Sequence, residues 1–163
     1  MYFLSDNIDS EVLNKYSVFS LKFHLCLVYF FSAVGKISTL LWYNGLANYY
    51  VLNNERFMLF ELPEYLLTNS VFITLTTYSV IFWELTFPFF VLIKGTKKWM
   101  LLVALIFHFF VFNYMMLYNF QFLFMLILVV FLTDFELIRI YVFLKKKFYG
   151  IFRLGFRRRF LYK

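Results

Sequence analysis

The sequence predicts an all-α membrane protein, a polytopic helix bundle of about four transmembrane helices with both termini in the cytoplasm. Three observations lead to this prediction. Hydrophobic residues make up 63% of the 163 residues and charged residues only 15%, which is more apolar surface than a domain of this size can bury. The apolar residues fall in runs long enough to cross a bilayer. The basic residues lie almost entirely on one side of those runs.

The first two predicted spans are residues 22–42 and 71–93. Each has the length that a hydrocarbon core of about 30 Å requires at about 1.5 Å per residue. Between them lies a mixed polar and apolar loop, in which residues 57–67 are expected to lie flat at the membrane interface.

The last two spans come from one long apolar run, residues 99–132. A single helix of that length would measure about 50 Å, which exceeds the bilayer core. Polar residues near Asn119–Gln121 are the expected break. The run therefore predicts a third span over residues 99–118 and a short fourth span over residues 120–132.

This organisation predicts three segments: a polar lead-in (1–20), a transmembrane helical domain (21–144) and a basic, aromatic cytoplasmic tail (145–163). An extension of the fourth span through residues 137–144 is left open. No internal repeat and no second domain are evident.

The distribution of basic residues predicts the orientation. With four spans, both termini and the basic turn at residues 94–98 share one side, whereas the opposite loop holds only Arg56. The positive-inside rule then places the termini in the cytoplasm. The net charge of +7 is explained by a tail lying on anionic headgroups, so the expected partner is the lipid bilayer and not nucleic acid. The expected location is a bacterial inner membrane, with an organellar inner membrane as the alternative.

The composition also excludes some kinds of site. Cys26 is the only cysteine, so no intrachain disulfide and no cysteine metal cluster can form. The two histidines are too few for a histidine-rich centre, and no metal site is expected. A channel or transporter is disfavoured because neither an inverted repeat nor a pair of interrupted helices is visible.

Three ionisable residues lie inside the predicted spans: Lys36, Glu84 and His108. Such residues are unfavourable in a membrane by about 2.5–3.5 kcal/mol on insertion scales, which makes them functional candidates. Helix geometry places Glu84 and His108 near the midplane on antiparallel neighbours, where we expect them to meet, with Lys36 nearer the outer side. A structural alternative is open: Lys36 reaches the outer headgroups, or Glu84 pairs with Lys36 or His108 to fix the helix register.

The run YFFSAVGKISTLLWYNGLANYYVLNNERF resembles the membrane domain shared by vitamin K-dependent gamma-carboxylase and its bacterial relatives, the horizontally transferred transmembrane (HTTM) family. A family hallmark is a Tyr-Phe pair, a glycine, a lysine, and then a tryptophan and a glycine. The glycine before the lysine is shifted here, at Gly35. The other matching positions are Tyr29, Phe30, Lys36, Trp42 and Gly45.

Two further elements extend the resemblance over residues 21–132. Glu84 and Pro88 look like the family's Glu-x-x-x-Pro helix, and His108 looks like its histidine helix. The resemblance implies that Lys36 is the base that deprotonates a reduced vitamin K, so that a reduced quinone is the implied cofactor. It implies catalytic roles for Lys36, Glu84 and His108, and cofactor contacts for Trp42, Gly45 and Tyr29.

The chain also departs from the family pattern. The family's domain normally has further helices upstream, so an N-terminally shortened relative is expected, with a partner membrane protein supplying the missing helices. The carboxylase's Asn-His element and its large lumenal domain have no counterpart. Two hypotheses follow, and enzymatic activity is left open between them. The first is a carboxylase-like protein that uses Lys36 on a lipophilic cofactor or a translocated peptide. The second is a non-catalytic subunit or maturation scaffold of a membrane complex.

Overall fold

The structure, a computed structural model, describes residues 2–54, 62–115 and 117–160, with side chains for residues 11–54, 62–115 and 117–147. This part of the chain is helical and contains no strand. A 3-10 turn, Leu128–Phe131, follows the seventh helix. The helices are α1 (Tyr2–Ile37), α2 (Leu40–Tyr43), α3 (Ala47–Leu52), α4 (Glu64–Leu67), α5 (Ser70–Phe90), α6 (Lys97–Tyr114), α7 (Tyr118–Ile127) and α8 (Asp134–Phe160).

Three of the described helices are long and apolar enough to cross a membrane: Glu11–Ile37 within α1, all of α5 and all of α6. A shorter apolar segment, Tyr118–Phe131, follows them. Large apolar side chains point outward along these helices, as lipid-facing surfaces require. The predicted all-α membrane bundle is thereby confirmed. The predicted sidedness of the termini stays a prediction.

Helix α1 starts earlier and ends earlier than expected. It is continuous from Tyr2, so no helix boundary separates the lead-in from the first span, and at 1.5 Å per residue its 36 residues extend about 54 Å. It ends at Ile37, and beyond that residue Ser38 Oγ donates to the Val34 carbonyl and Thr39 Oγ1 donates to the Lys36 carbonyl. The predicted span 22–42 is therefore wrong at its end, and Lys36 lies in the last turn of a helix.

The long apolar run does divide into two helices, as expected, but the break lies between Tyr114 and Tyr118 and not at Asn119–Gln121. Helix α6 ends at Tyr114 and α7 begins at Tyr118, so both Asn119 and Gln121 lie within α7. The amide of Gln121 is buried and hydrogen-bonded to a side chain of α6. A polar group satisfied in this way does not require a break in the helix.

The other boundaries follow from local capping. Thr96 Oγ1 donates to the Phe90 carbonyl at the end of α5, three residues before the expected end of the second span. Helix α8 begins separately because Thr133 and Glu136 form a capping box, in which each side chain binds the other's backbone N–H. Of the expected interfacial segment 57–67, residues 57–61 lie outside the described residues, and Glu64–Leu67 forms α4.

The chain divides into two compact units, residues 1–130 and 131–163. Within the first unit, α1 packs on α5 and α6 packs on α7, while α3 and α4 pack on α5. The fully buried Ala33 and Ala104 allow close approach between helices. The second unit contains α8, whose aromatic and aliphatic side chains up to residue 147 are exposed.

The segment between α1 and α5 is held on α5 at three points. Tyr78 donates its hydroxyl hydrogen to the Tyr43 carbonyl at 2.6 Å, and the Asn48 backbone N–H donates to Thr77 Oγ1 at 3.2 Å. Gly45 has φ +72°, and a Cβ there would lie 3.0 Å from the methyl carbon of Thr74. Only glycine adopts this conformation without strain and fits this contact. The segment carrying α2 and α3 is thus fixed beside the end of α1.

Candidate functional site

The central feature is an ion pair between α1 and α5. Lys36 Nζ donates to the two carboxylate oxygens of Glu84 at 2.7 and 2.6 Å and to Ser32 Oγ at 2.6 Å. All three ammonium hydrogens therefore have acceptors. The Glu84 side chain is 6% exposed and the Lys36 side chain 21%. Trp42 adds a cation–π contact, with its ring centroid 5.3 Å from Nζ.

Local sequence explains this geometry. Ser32 and Lys36 are separated by one helical turn, which places their side chains on the same face of α1. Glu84 lies four residues before Pro88, which has no backbone N–H to donate to the Glu84 carbonyl. A buried carboxylate without a counter-charge is strongly unfavourable, and the Lys36 ammonium supplies that charge.

The ion pair forms part of the wall of a cavity of about 610 Å³. The cavity lies where α1 ends, between α2, α3, α4, residues 72–84 of α5, the second half of α6 and α7. Its walls are mostly apolar side chains, such as Val51, Leu66 and Phe110. The lining residues with nitrogen or oxygen groups in their side chains are Lys36, Trp42, Asn48, Thr76, Ser79, Glu84 and Gln121.

A second polar network crosses the bundle through His108. Its Nε2 lies 2.7 Å from the Tyr29 hydroxyl, and its Nδ1 is hydrogen-bonded to Gln121 Oε1. The residues Tyr29, His108 and Gln121 are 3%, 4% and 5% exposed. Because the amide oxygen only accepts, Nδ1 carries the hydrogen, and the Tyr29 hydroxyl donates to Nε2. This arrangement satisfies a neutral imidazole at both nitrogens.

Aromatic rings enclose this network. The Tyr29 ring centroid lies 5.2 Å from that of Trp83 and 4.2 Å from that of Phe87. The His108 ring centroid lies 5.1 Å from that of Phe124. Edge-to-face and tilted packing of this kind holds rings in fixed orientations. This packing favours the ring orientations in which Tyr29 and His108 form their hydrogen bonds.

The structure pairs the predicted catalytic residues differently from what their depths along the helices predict. The expected contact between Glu84 and His108 is wrong. The alternative pairing of Glu84 with Lys36 is the one found, and His108 pairs with Tyr29 and Gln121. Opposite charge decides the first pairing, since only a cation compensates a buried carboxylate. The catalytic roles themselves stay predictions.

The predicted cofactor residues occupy three different environments. Trp42 lines the cavity beside Lys36. Gly45 contacts Thr74 and Tyr78 of α5, where it fixes the segment after α1. Tyr29 belongs to the buried His108 network. Only the position of Trp42 therefore suits direct contact with a molecule in the cavity.

Sequence reasoning missed Gln121 as a site residue, because its polarity was interpreted as a helix break. The available signal was a single amide in an apolar run, which in a membrane also marks a hydrogen bond between helices. Among the described residues, no group of three or more His, Cys, Asp or Glu side chains could hold a metal ion.

The fold and the site define a helical membrane protein with a charged pair beside an apolar cavity. A family model described as the HTTM domain matches residues 2–135. The chain belongs to the HTTM family, and the resemblance found in residues 21–132 is confirmed and extends to the start of α1. No curated protein and no solved structure matches the chain.

Proposed function

We propose that this HTTM protein binds a lipophilic molecule in the cavity and that Lys36, with Glu84, takes a proton from an acidic hydroxyl of that molecule. One observation carries the proposal: the ion pair is part of the wall of an otherwise apolar cavity. Charged groups facing an apolar pocket are poised to act on the polar end of an apolar ligand. A translocated peptide would need more partners for its backbone groups than these walls provide.

The cavity fits the cofactor that the family resemblance implies. Its volume of about 610 Å³ falls within the range of about 300–1,000 Å³ typical of small-molecule sites. Trp42, Phe107 and Phe110 would flank a fused aromatic ring, and Lys36 would contact its oxygen. When bound, a reduced quinone supplies an acidic hydroxyl and a ring that can give up electrons.

The proton path follows from the short distances in the ion pair. In the observed geometry Lys36 is an ammonium and cannot accept a proton. Its own proton can pass to a Glu84 oxygen 2.6–2.7 Å away, which leaves a neutral amine and a carboxylic acid. The amine then accepts the proton of the ligand hydroxyl and becomes an ammonium beside the resulting anion. This end state pairs one cation with one anion, as an apolar site requires.

The predicted orientation adds a location. If the N-terminus is cytoplasmic, α1 crosses once and its end at Lys36 lies on the outer side. The cavity would then face the outer leaflet of the predicted bacterial or organellar inner membrane.

A second candidate is a purely structural pair in a non-catalytic subunit or scaffold. The saturation of all three ammonium hydrogens by Ser32 and Glu84 favours it. In that case the pair joins α1 to α5 and takes no part in chemistry. The two candidates differ in whether a ligand's affinity depends on Lys36.

The test uses the full chain in nanodiscs and two probes of similar size, 1-naphthol and its methyl ether, 1-methoxynaphthalene. Equilibrium dialysis measures binding, with empty nanodiscs as the partition blank. We expect saturable binding of 1-naphthol that weakens at least about tenfold in Lys36→Met, as for loss of a charge-assisted hydrogen bond. The ether, which has no acidic hydrogen, should be affected much less.

Lys94→Met is the matched control, since Lys94 lies in the exposed turn after α5. It should leave both affinities unchanged. Circular dichroism and size-exclusion chromatography establish that each variant is folded. Equal binding of 1-naphthol by wild type and a folded Lys36→Met variant would overturn the proposed function and leave the structural candidate.

A further inference from the structure

We infer that Gln121 is a second ligand-binding residue of the cavity and that Tyr29 and His108 hold its amide N–H₂ group toward the ligand. This inference rests on the proposed function, because it concerns the same cavity. It specifies the ligand class: a lipophilic molecule with an acidic hydroxyl at one position and a hydrogen-bond acceptor at another.

The first step is the direction of the hydrogen bonds. The Tyr29 hydroxyl is enclosed by aromatic rings, and among the described residues its hydrogen has no acceptor other than His108 Nε2. An unsatisfied buried hydroxyl is unfavourable, so Tyr29 donates and Nε2 is unprotonated. The imidazole hydrogen is then on Nδ1, and only an acceptor can face it.

The second step is the orientation of the Gln121 amide. Nδ1–H fixes Oε1 of Gln121 toward His108. The Nε2 group of the amide therefore lies on the other side, and it has no hydrogen-bond acceptor within the part of the chain that the structure describes. Gln121 is only 5% exposed, yet it lines the cavity.

The third step is the chemistry that this orientation selects. An N–H₂ group offers hydrogens and no lone pair. A carbonyl or ether oxygen satisfies it, whereas an apolar group leaves it unpaired in a dry site. Lys36 and Glu84 lie in the wall of the same cavity. The cavity thus presents an acid–base pair for one oxygen of a ligand and a fixed donor for another.

The test compares 4-methoxy-1-naphthol, which has a hydroxyl and an acceptor-only ether oxygen, with 1-naphthol, which has the hydroxyl alone. Wild type should bind the methoxy probe more tightly. Gln121→Met should weaken binding of the methoxy probe about three- to tenfold, the loss of one neutral hydrogen bond, and change 1-naphthol less than twofold. Gln121→Glu, which presents acceptors in place of the donor, should weaken the methoxy probe at least as much.

Tyr29→Phe tests the positioning role. It frees the imidazole to place its hydrogen on Nε2 and the amide to turn. We expect the ratio of the affinity for the methoxy probe to the affinity for 1-naphthol to fall toward the ratio measured for Gln121→Met. Binding of 1-naphthol should stay within twofold of wild type. A purely structural role of Tyr29 would lower both affinities together and overturn the positioning assignment. Asn119→Leu, at an exposed position on α7, is the matched control and should preserve the ratio.

Lys36→Met separates the two proposals. If Lys36→Met weakens binding of both probes but Gln121→Met leaves the ratio of the two probe affinities unchanged, the assignment of Gln121 is wrong and the proposed function stands. If Lys36→Met leaves both probes unaffected, the proposed function fails. If Gln121→Met weakens 1-naphthol as much as the methoxy probe, Gln121 is not a separate acceptor site and the inference is overturned.

Discussion

The ion pair and the His108 network lie in the same bundle but solve the problem of buried polarity differently. Lys36 and Glu84 are charged, lie at the end of α1 and share a wall with the cavity. Tyr29 and His108 are neutral and enclosed by aromatic rings. A cation beside a carboxylate needs only its counter-charge, whereas a neutral imidazole needs one donor and one acceptor in fixed directions. The charged pair is thus partly open to the cavity, where the proposed ligand would meet it, whereas the neutral network is held by its own partners.

The largest expected effect comes from breaking the ion pair on one side only. Lys36→Met leaves the Glu84 carboxylate, 6% exposed, without a counter-charge. We expect a loss of about 3–5 kcal/mol in the free energy of unfolding. Titration with sodium dodecyl sulfate, followed by circular dichroism, measures it.

The double variant Lys36→Met with Glu84→Gln sharpens this result. Removing both charges should restore most of the lost stability, because no buried charge is left. The expected coupling energy is thus large and opposite in sign to the single losses. Additive effects of the two substitutions would show that the two side chains do not form the pair seen here.

The neutral network should contribute less. His108→Phe keeps the aromatic packing but leaves the Tyr29 hydroxyl and Gln121 Oε1 without the imidazole. We expect a loss of about 2–3 kcal/mol from two unsatisfied buried groups. His24→Phe is the control, since His24 is exposed on α1 and should change stability by less than about 0.5 kcal/mol. Equal losses of stability in His108→Phe and His24→Phe would show that the buried network contributes no more than an exposed side chain.

These two networks also mark the limit of what the sequence could predict. Apolar runs of bilayer length gave the helical membrane class and the approximate positions of α5 and α6. Lys36, Glu84 and His108 were found because ionisable residues are rare in such runs. Depth along a helix, however, says nothing about the direction in which a side chain points around the axis. That is why Glu84 was expected at His108 and is found at Lys36.

The missed boundaries involve hydrogen bonds that hydropathy does not register. At the end of α1, the hydroxyls of Ser38 and Thr39 bind carbonyls of the last turn. The continuity of α7 depends on a partner for Gln121 that is distant in sequence. Hydropathy registers a polar side chain but not its partner. The chemistry of residues 29, 108 and 121 could therefore emerge only from tertiary structure.

A smaller loss of stability is expected from a substitution at Gly45, in the segment that carries α2 and α3. Gly45→Ala places a Cβ 3.0 Å from the Thr74 methyl carbon at φ +72°, and a left-handed conformation is unfavourable by about 1–2 kcal/mol for an L-residue. Gly35→Ala is the control, because a Cβ there meets nothing within 4 Å and alanine favours the helix by up to about 1 kcal/mol. Thermal unfolding should separate the two variants in opposite directions.

The Gly45→Ala variant also tests whether the Lys36–Glu84 ion pair and the His108 network are independent. Gly45 fixes the segment that carries Trp42 beside Lys36. The nearest neighbours of a Cβ at Gly45 are Thr74 and Tyr78, neither of which belongs to the aromatic cluster around Tyr29. Gly45→Ala should therefore weaken Lys36-dependent binding of 1-naphthol. It should leave the preference for the methoxy probe within twofold of wild type. A larger loss of that preference would contradict the separation of the two networks.

The smallest expected effect concerns Ser32, the third acceptor of the Lys36 ammonium at 2.6 Å. Ser32→Ala removes one hydrogen bond and no charge, and the Lys36 side chain, 21% exposed, can place the freed hydrogen toward the cavity. We expect a loss of about 0.5–1 kcal/mol, measured by the same detergent titration. Ser79→Ala is the control, since Ser79 also lines the cavity but, among the described residues, donates only to the Leu75 carbonyl of its own helix. A loss at Ser32 as large as that of His108→Phe would mean that the amine cannot turn toward the cavity. The ion pair would then be as closed as the His108 network, and the structural candidate would be favoured.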